Sequence, residues 1–132
     1  MSEKIDVVAA MIQKGDQILI AKRCSPPKAW EFPGGKVEKG EGKAQALIRE
    51  IKEELAVQIK VGQHIGQSDV LVGTTQIVMD LFACSLLEGE PQNLEHEALK
   101  WIKSTQLKGW DWAPADIPLL PLVEEYFGAK DV

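Results

Sequence analysis

Apolar residues run almost without interruption from Ile5 to Ile12 (IDVVAAMI), turn residues follow at Lys14-Gly15-Asp16, and Gln17 to Arg23 (QILIAKR) forms a second apolar run. This pattern predicts a β-hairpin. Ser25-Pro26-Pro27-Lys28 cannot extend the ladder, because proline has no amide hydrogen and restricts the residue before it. A loop is expected there, ending in Trp30-Glu31-Phe32-Pro33-Gly34-Gly35. From Lys43 the period changes. Ala44, Leu47, Ile48, Ile51 and Leu55 fall at i, i+3, i+4, i+7 and i+11, which predicts an amphipathic helix with that stripe as its buried side. Val57 to Val61 (VQIKV) alternates as a strand, and Thr74 to Leu87 is a longer β-rich run that Glu88-Gly89-Glu90-Pro91 breaks. Ala98 to Ile102 reads as a short strand, and Ser104 stands where it could cap a helical turn. Ile117 to Phe127 has helical spacing, with Pro118 suited to a first turn and Pro121 set against an early start. Mixed strands with one central and one C-terminal helix give an α+β fold, an α/β/α sandwich on a mixed sheet.

The 132 residues suit one domain spanning 1–132, with enough chain to bury a core without covalent staples. Cys24 and Cys84 form no Cys-x-x-Cys pattern, so both are expected as buried or partly buried free thiols, with neither a disulfide nor zinc. No apolar run reaches the roughly 18 residues of a membrane span, and no leader pattern opens the chain, so a cytoplasmic protein without membrane contact is expected. With 15 basic against 20 acidic residues, the net charge of −5 disfavours polymeric nucleic acid as a partner. A small anionic ligand stays compatible, provided a metal ion supplies the positive charge.

The acidic residues are not spread evenly. Glu50, Glu53 and Glu54 stand at i, i+3 and i+4, so all three project from one helix face. Helix stability does not call for this, since a like-charged i,i+4 pair costs about 0.3 kcal/mol. A solvated charged face is one reading. The other is a site for a hard divalent cation, Mg²⁺ or Mn²⁺, which takes carboxylates, water and phosphate oxygens. Glu41, flanked by Gly40 and Gly42, sits in a loop able to fold back toward the cluster, and Gly34-Gly35 allows a close approach of backbone.

Gly35-x5-Glu41-x7-Arg49-Glu50-Ile51-x-Glu53-Glu54-x-Ala56-Val57 resembles the Nudix box, Gly-x5-Glu-x7-Arg-Glu-U-x-Glu-Glu-x-Gly-U with U a bulky aliphatic residue. The one departure is Ala56 in place of glycine, at a helix end where φ is often positive. Trp30 to Lys36, Lys22-Arg23 and Ala113-Pro114-Ala115-Asp116-Ile117-Pro118 extend the resemblance to the MutT-like branch, to bacterial enzymes described as CTP pyrophosphohydrolases or 8-oxo-dGTP diphosphatases. The resemblance implies a Nudix-type α/β/α sandwich that hydrolyses a nucleoside triphosphate to a monophosphate and pyrophosphate with Mg²⁺, for which Mn²⁺ can substitute.

By that resemblance, Glu50, Glu53, Glu54 and the Gly34 carbonyl hold metal, and Arg49 orients the glutamates with its guanidinium fork. The proton acceptor is Glu53 or Glu50, or a loop glutamate, Glu95 or Glu97; His96 between them is either a surface residue or a participant. Arg23 and Lys36 are candidates for phosphate contact, Phe32 and Trp30 for stacking, with a core role equally open to Phe32, and Trp101, Trp110 and Trp112 for packing. Asp116 falls where MutT-like enzymes read the base. An ionised Asp116 only accepts, which suits guanine donors, whereas cytosine requires a proton on Asp116 or on its ring nitrogen. The chemistry leans to guanine and the resemblance to cytosine. A catalytically silent nucleotide-sensing or protein-binding module is the alternative, and the complete set of glutamates argues against it. Monomer and homodimer both stay open.

Overall fold

A computed structural model describes residues 3–26 and 28–130, the last two through their backbone alone. Pro27 of the expected loop and the first and last two residues lie outside the described residues. In chain order the elements are β1 (Glu3–Lys14), β2 (Gln17–Lys22), β3 (Trp30–Glu31), β4 (Gly34–Lys36), α1 (Lys43–Leu55), β5 (Gln58–Val72), β6 (Thr75–Glu88), β7 (Ala98–Lys103) and α2 (Leu120–Lys130). Single 3₁₀ turns occupy Ser104–Gln106 and Ile117–Leu119. No helix among the described residues is long and apolar enough to cross a membrane.

The sheet runs β3-β2-β1-β6-β5, with β4 also paired to β1 and β7 to β2. β1 and β6 are parallel and every other pair is antiparallel, so the sheet is mixed. Strand alternation sends Val8, Ala10 and Ile12 to one face, beneath Leu47, Ile51 and Leu55 of α1. Ala9 and Met11 point to the other, where Leu119 and Val123 cover them. Burial on both faces explains why β1 reads as a continuous apolar run. The sandwich expected from the element pattern is the one formed.

Several local readings change. The buried side of α1 is Ala46, Leu47, Ile51, Glu54 and Leu55, while Ala44 is exposed and Ile48 is 37% exposed. The helix is therefore rotated, bringing Glu54 inward. The strand expected at Val57 to Val61 is only the beginning of β5. Register irregularities at Gln58/Ile59, between Val61 and His64, and between His64 and Gly66 destroy the two-residue period that would have revealed the rest. The stretch ending at Gly35 contains β3 and β4 instead of loop alone. Gly34 lies opposite Ala9, and a Cβ on it would overlap the Val8 carbonyl, so only glycine lets β4 lie this close to β1. Ser104 begins its 3₁₀ turn instead of capping it, and Pro121 fits in the first turn of α2, where its missing amide hydrogen costs nothing. Cys84 is buried, but Cys24 is exposed, contrary to the expectation for both thiols.

Ala56 caps α1 at φ 55, ψ 37, in the left-handed region, and its N–H still reaches the Lys52 carbonyl. Ala56→Gly is expected to stabilise the protein by about 1 kcal/mol, raising Tm by about 3–5 °C in a thermal melt. A lower Tm would contradict the strain at this cap.

Candidate active site

α1 carries Glu50 and Glu54 along its inner flank, and β4 brings the glycine pair up beneath them. A Cβ on Gly35 would run into the Glu50 carboxyl, so the bare backbone forms one wall of this site. Glu50 and Glu54 are close enough for the Glu50 charge to act on the Glu54 carboxyl. A cavity of about 330 Å³ opens here, lined by Gly34, Glu50 and Glu54 from below and by Glu95 and His96 from the loop before β7. The Glu54 carboxyl is 5% exposed and its Oε2 is buried without a partner. Burial, followed by the Glu50 charge, pushes the Glu54 carboxyl well above the usual carboxylate range.

Arg49 organises the approach to this cavity. Its Nε and Nη2 donate to the two Glu41 oxygens at 2.8 and 3.0 Å, its Nη1 to Glu50 Oε1 at 2.9 Å, and its Nη2 also to the Lys36 carbonyl at 3.1 Å. These bonds hold the Glu41 carboxyl below its ordinary range and raise the guanidinium further. Glu41 does fold back, as its glycine-flanked loop suggested, but its partner is Arg49 and it joins the cluster only through that residue. Glu53 is 55% exposed and turns toward Arg49 at 3.5 Å, outside the cavity lining.

The acidic loop divides. Glu97, expected near the chemistry, is turned away: its N–H donates to the Lys22 carbonyl and its carboxylate pairs with Lys28 at 3.0 Å and Lys22 at 3.6 Å. The Lys28 hydrogen bond lowers its pKa. Glu95 lines the cavity instead. His96 is no surface residue: its side chain is 7% exposed, with Nε2 3.4 Å from Glu54 and 3.5 Å from Glu31.

A second cavity, of about 380 Å³ and mostly apolar, lies against the opposite sheet face between Met79, Ile77 and the segment Ala113 to Asp116. Arg23 and Glu31, 3.7 Å apart, line both cavities. Asp116 is 3% exposed and its Oδ1 accepts the Phe32 N–H at 3.0 Å. Burial raises its carboxyl to about 8, the Glu31 charge adding to the effect while the Phe32 hydrogen bond and Arg23 oppose it. Burial thus favours the protonated form of Asp116, the one of the two states left open by the sequence that suits a cytosine base.

Phe32 takes the core role that the sequence left open beside stacking. Its ring is in the core against Trp112, with centroids 5.1 Å apart, so its contribution to the site is its backbone amide. Trp30 packs edge-on against Trp110, and Trp101 is half-buried against the other core. Lys36 is exposed and lines neither cavity. Sequence reasoning assigned no role to Glu31, whose one local signal was its place in the Trp30 to Lys36 motif.

Among the described residues, no three carboxylate, imidazole or thiol groups converge on one point at ligand distance. The donor set nevertheless fits a hard divalent ion. Glu54 presents an orphaned oxygen to Glu50 in a cavity that Gly34 also lines, and a cation there would relieve both the repulsion and the unmet bond. Magnesium keeps several waters and needs few protein ligands, so two carboxylates and a backbone oxygen suffice.

A helix lined with glutamates, a glycine strand beneath it and a neighbouring apolar cavity define a hydrolase site built around oxygen donors. The chain belongs to the Nudix family of hydrolases: the NUDIX domain model matches residues 3–123. It is 39% identical over 119 residues to the CTP pyrophosphohydrolase of Escherichia coli, covering 88% of each chain. It is 28% identical over 125 residues to the 8-oxo-dGTP diphosphatase of the same organism, covering 89% of this chain and 95% of that one. The solution structure of the E. coli ORF135 protein matches with a TM-score of 0.82 at 36% identity, over 98% of this chain and 94% of the other.

Proposed function

We propose that the protein hydrolyses a nucleoside triphosphate to the monophosphate and pyrophosphate with Mg²⁺, or Mn²⁺ in its place, and that it favours a cytosine-type base. The observation that carries this is the pair of cavities joined at Arg23 and Glu31: one acidic and suited to a metal–polyphosphate, the other apolar and of a size for a base. Relatives named CTP pyrophosphohydrolase and 8-oxo-dGTP diphosphatase support the same reaction class.

Glu50, Glu54 and the Gly34 carbonyl would hold the metal, with Glu53 joining them by rotation of its exposed side chain. When bound, the ion supplies the positive charge that a triphosphate and a glutamate cluster both need, and it makes water more acidic. Arg49 keeps the Glu50 carboxylate in place while Glu41 anchors Arg49. Glu50, Glu53 and, across the cavity, Glu95 are the carboxylates available to take a proton. Arg23, between the cavities, serves the phosphate nearest the sugar, and Lys36 the solvent side of the polyphosphate.

A protonated Asp116 offers one O–H donor and one carbonyl acceptor. Cytosine presents a ring-nitrogen acceptor beside an amino donor, which is the complementary pair; guanine presents two donors. This reverses the preference inferred for an ionised aspartate. The role that follows is removal of CTP or modified dCTP from a cytoplasmic nucleotide pool, with no polymeric nucleic acid or membrane as partner, by a monomer or homodimer.

The test is a panel of dCTP, 5-methyl-dCTP, dGTP, 8-oxo-dGTP and dTTP with Mg²⁺. The expected result is pyrophosphate as product, with kcat/KM for cytosine nucleotides about 10-fold or more above the others. Orthophosphate as product would overturn the reaction, and a guanine preference the base assignment.

A further inference from the structure

Ser68 lies in the middle of β5, opposite Met79 of β6, whose side chain lines the apolar cavity. It is 3% exposed, and its hydroxyl donates to the Ala115 carbonyl at 2.7 Å. A hydroxyl in such a place is costly unless bonded, and packing alone would be served as well by an apolar side chain. The bond fixes a particular peptide plane. The Ala115 carbonyl and the Asp116 N–H belong to the same peptide; Ser68 holds the carbonyl, and the Asp116 N–H donates to the Ala113 carbonyl at 3.0 Å. The Asp116 carboxyl is then tethered a third time, through Oδ1, by the Phe32 N–H at 3.0 Å. With Oδ1 engaged, Oδ2 is the oxygen left to carry the proton.

We propose that Ser68 is a positioning residue for base selection: by holding the Ala115–Asp116 peptide from β5, it sets the direction in which Asp116 presents its free oxygen to the apolar cavity. This rests on the reading of that cavity as the base site. Without the hydroxyl, the Ala115 carbonyl loses its buried partner and the peptide plane can turn, while Glu50, Glu54 and Arg49, on the other face of the sheet, are unaffected. The main consequence is a loss of discrimination among bases, because a misdirected recognition group no longer pairs with the base it selects, while the metal-site residues keep their own partners.

The experiment compares wild type, Ser68→Ala and Ser68→Thr on dCTP, dGTP and dTTP at saturating Mg²⁺, with folding followed by circular dichroism. Ser68→Ala is expected to lower kcat/KM for dCTP about 10-fold, mainly through KM, and to change the rates on the disfavoured bases less than twofold. Ser68→Thr, which keeps the hydroxyl, restores most of the selectivity. An equal loss on all three nucleotides carried by kcat, or selectivity that survives Ser68→Ala, would overturn the positioning role alone. A wild type indifferent to the base would overturn both that role and the reading of the cavity. Should the alanine variant not fold, Ser68→Cys, with similar volume and a weaker donor, carries the same comparison: an intermediate loss of selectivity supports the role, and unchanged selectivity removes it.

Discussion

Glu54→Gln is expected to lower Mg²⁺-dependent turnover by about 10²–10³-fold while leaving the protein folded and, in the presence of a chelator, at least as stable as wild type. Loss of activity would follow from removing a charged donor at the metal. Retained stability follows from the site's electrostatics. The carboxyl is buried, beside Glu50, and has an oxygen with no partner, so the metal-free protein holds it protonated at neutral pH. Glutamine has the same shape and no charge to desolvate. The pH dependence has a definite sign. The folded-state pKa is raised, so this group's contribution to stability is full below its unfolded value near 4.3 and is lost as pH rises toward the folded value. In chelator the wild type therefore loses stability across that window relative to Glu54→Gln. Magnesium should raise the wild-type Tm and leave the variant's almost unchanged. Thermal melts with and without Mg²⁺, paired with turnover, check this; a variant that keeps Mg²⁺-dependent hydrolysis would exclude Glu54 as a ligand.

At Asp116 the informative comparison is between asparagine and alanine. An amide, like a protonated carboxyl, sets a donor group beside an acceptor oxygen, so Asp116→Asn should keep the cytosine preference with kcat/KM for dCTP within about threefold of wild type. Asp116→Ala removes both groups from a site 3% exposed and should cost about 10²-fold on dCTP, with far less change on disfavoured bases. The wild type should also lose dCTP selectivity as pH rises through about 8, when the proton that Oδ2 donates is released. Asparagine does not titrate, so that variant should hold its selectivity over the same range. Stability moves in parallel: the raised carboxyl costs the wild type stability from near pH 4 up to about 8, and Asp116→Asn escapes that cost. Selectivity measured from pH 6.5 to 9.5 separates the cases. An asparagine variant as poor as alanine would show that the charge, not the donor, is what the base requires.

Both variants concern residues whose positions were evident in the amino-acid order and whose states were not. The spacing of Glu50, Glu53 and Glu54 on one helix, the glycine pair before it and the two apolar faces of β1 are local patterns, since helix and strand periods put side chains on faces whatever lies beyond. The left-handed cap at Ala56 is indicated by the glycine that the resembled box carries there, and the structure shows that alanine adopts it. The helix rotation that buries Glu54 and exposes Glu53 depends on the sheet beneath, so the three equivalent glutamates of the sequence become unequal only in the fold. Glu95 and Glu97 are indistinguishable in the acidic loop until Lys22 and Lys28 claim one of them. Most of β5, and Ser68 with it, lies hidden behind irregular register.

Asp116 marks the boundary most sharply. Its presence near a base site follows from the residues around it, but its proton follows from burial, from the Phe32 amide and from Glu31, residues 84 positions away or more along the chain in the case of that amide bond. Local order along the chain establishes which groups are available and which face they take, because those depend on backbone period. Ionisation, orientation and partnership depend on desolvation and on neighbours distant in sequence, and these come into being only when the sheet and its two helices close around them.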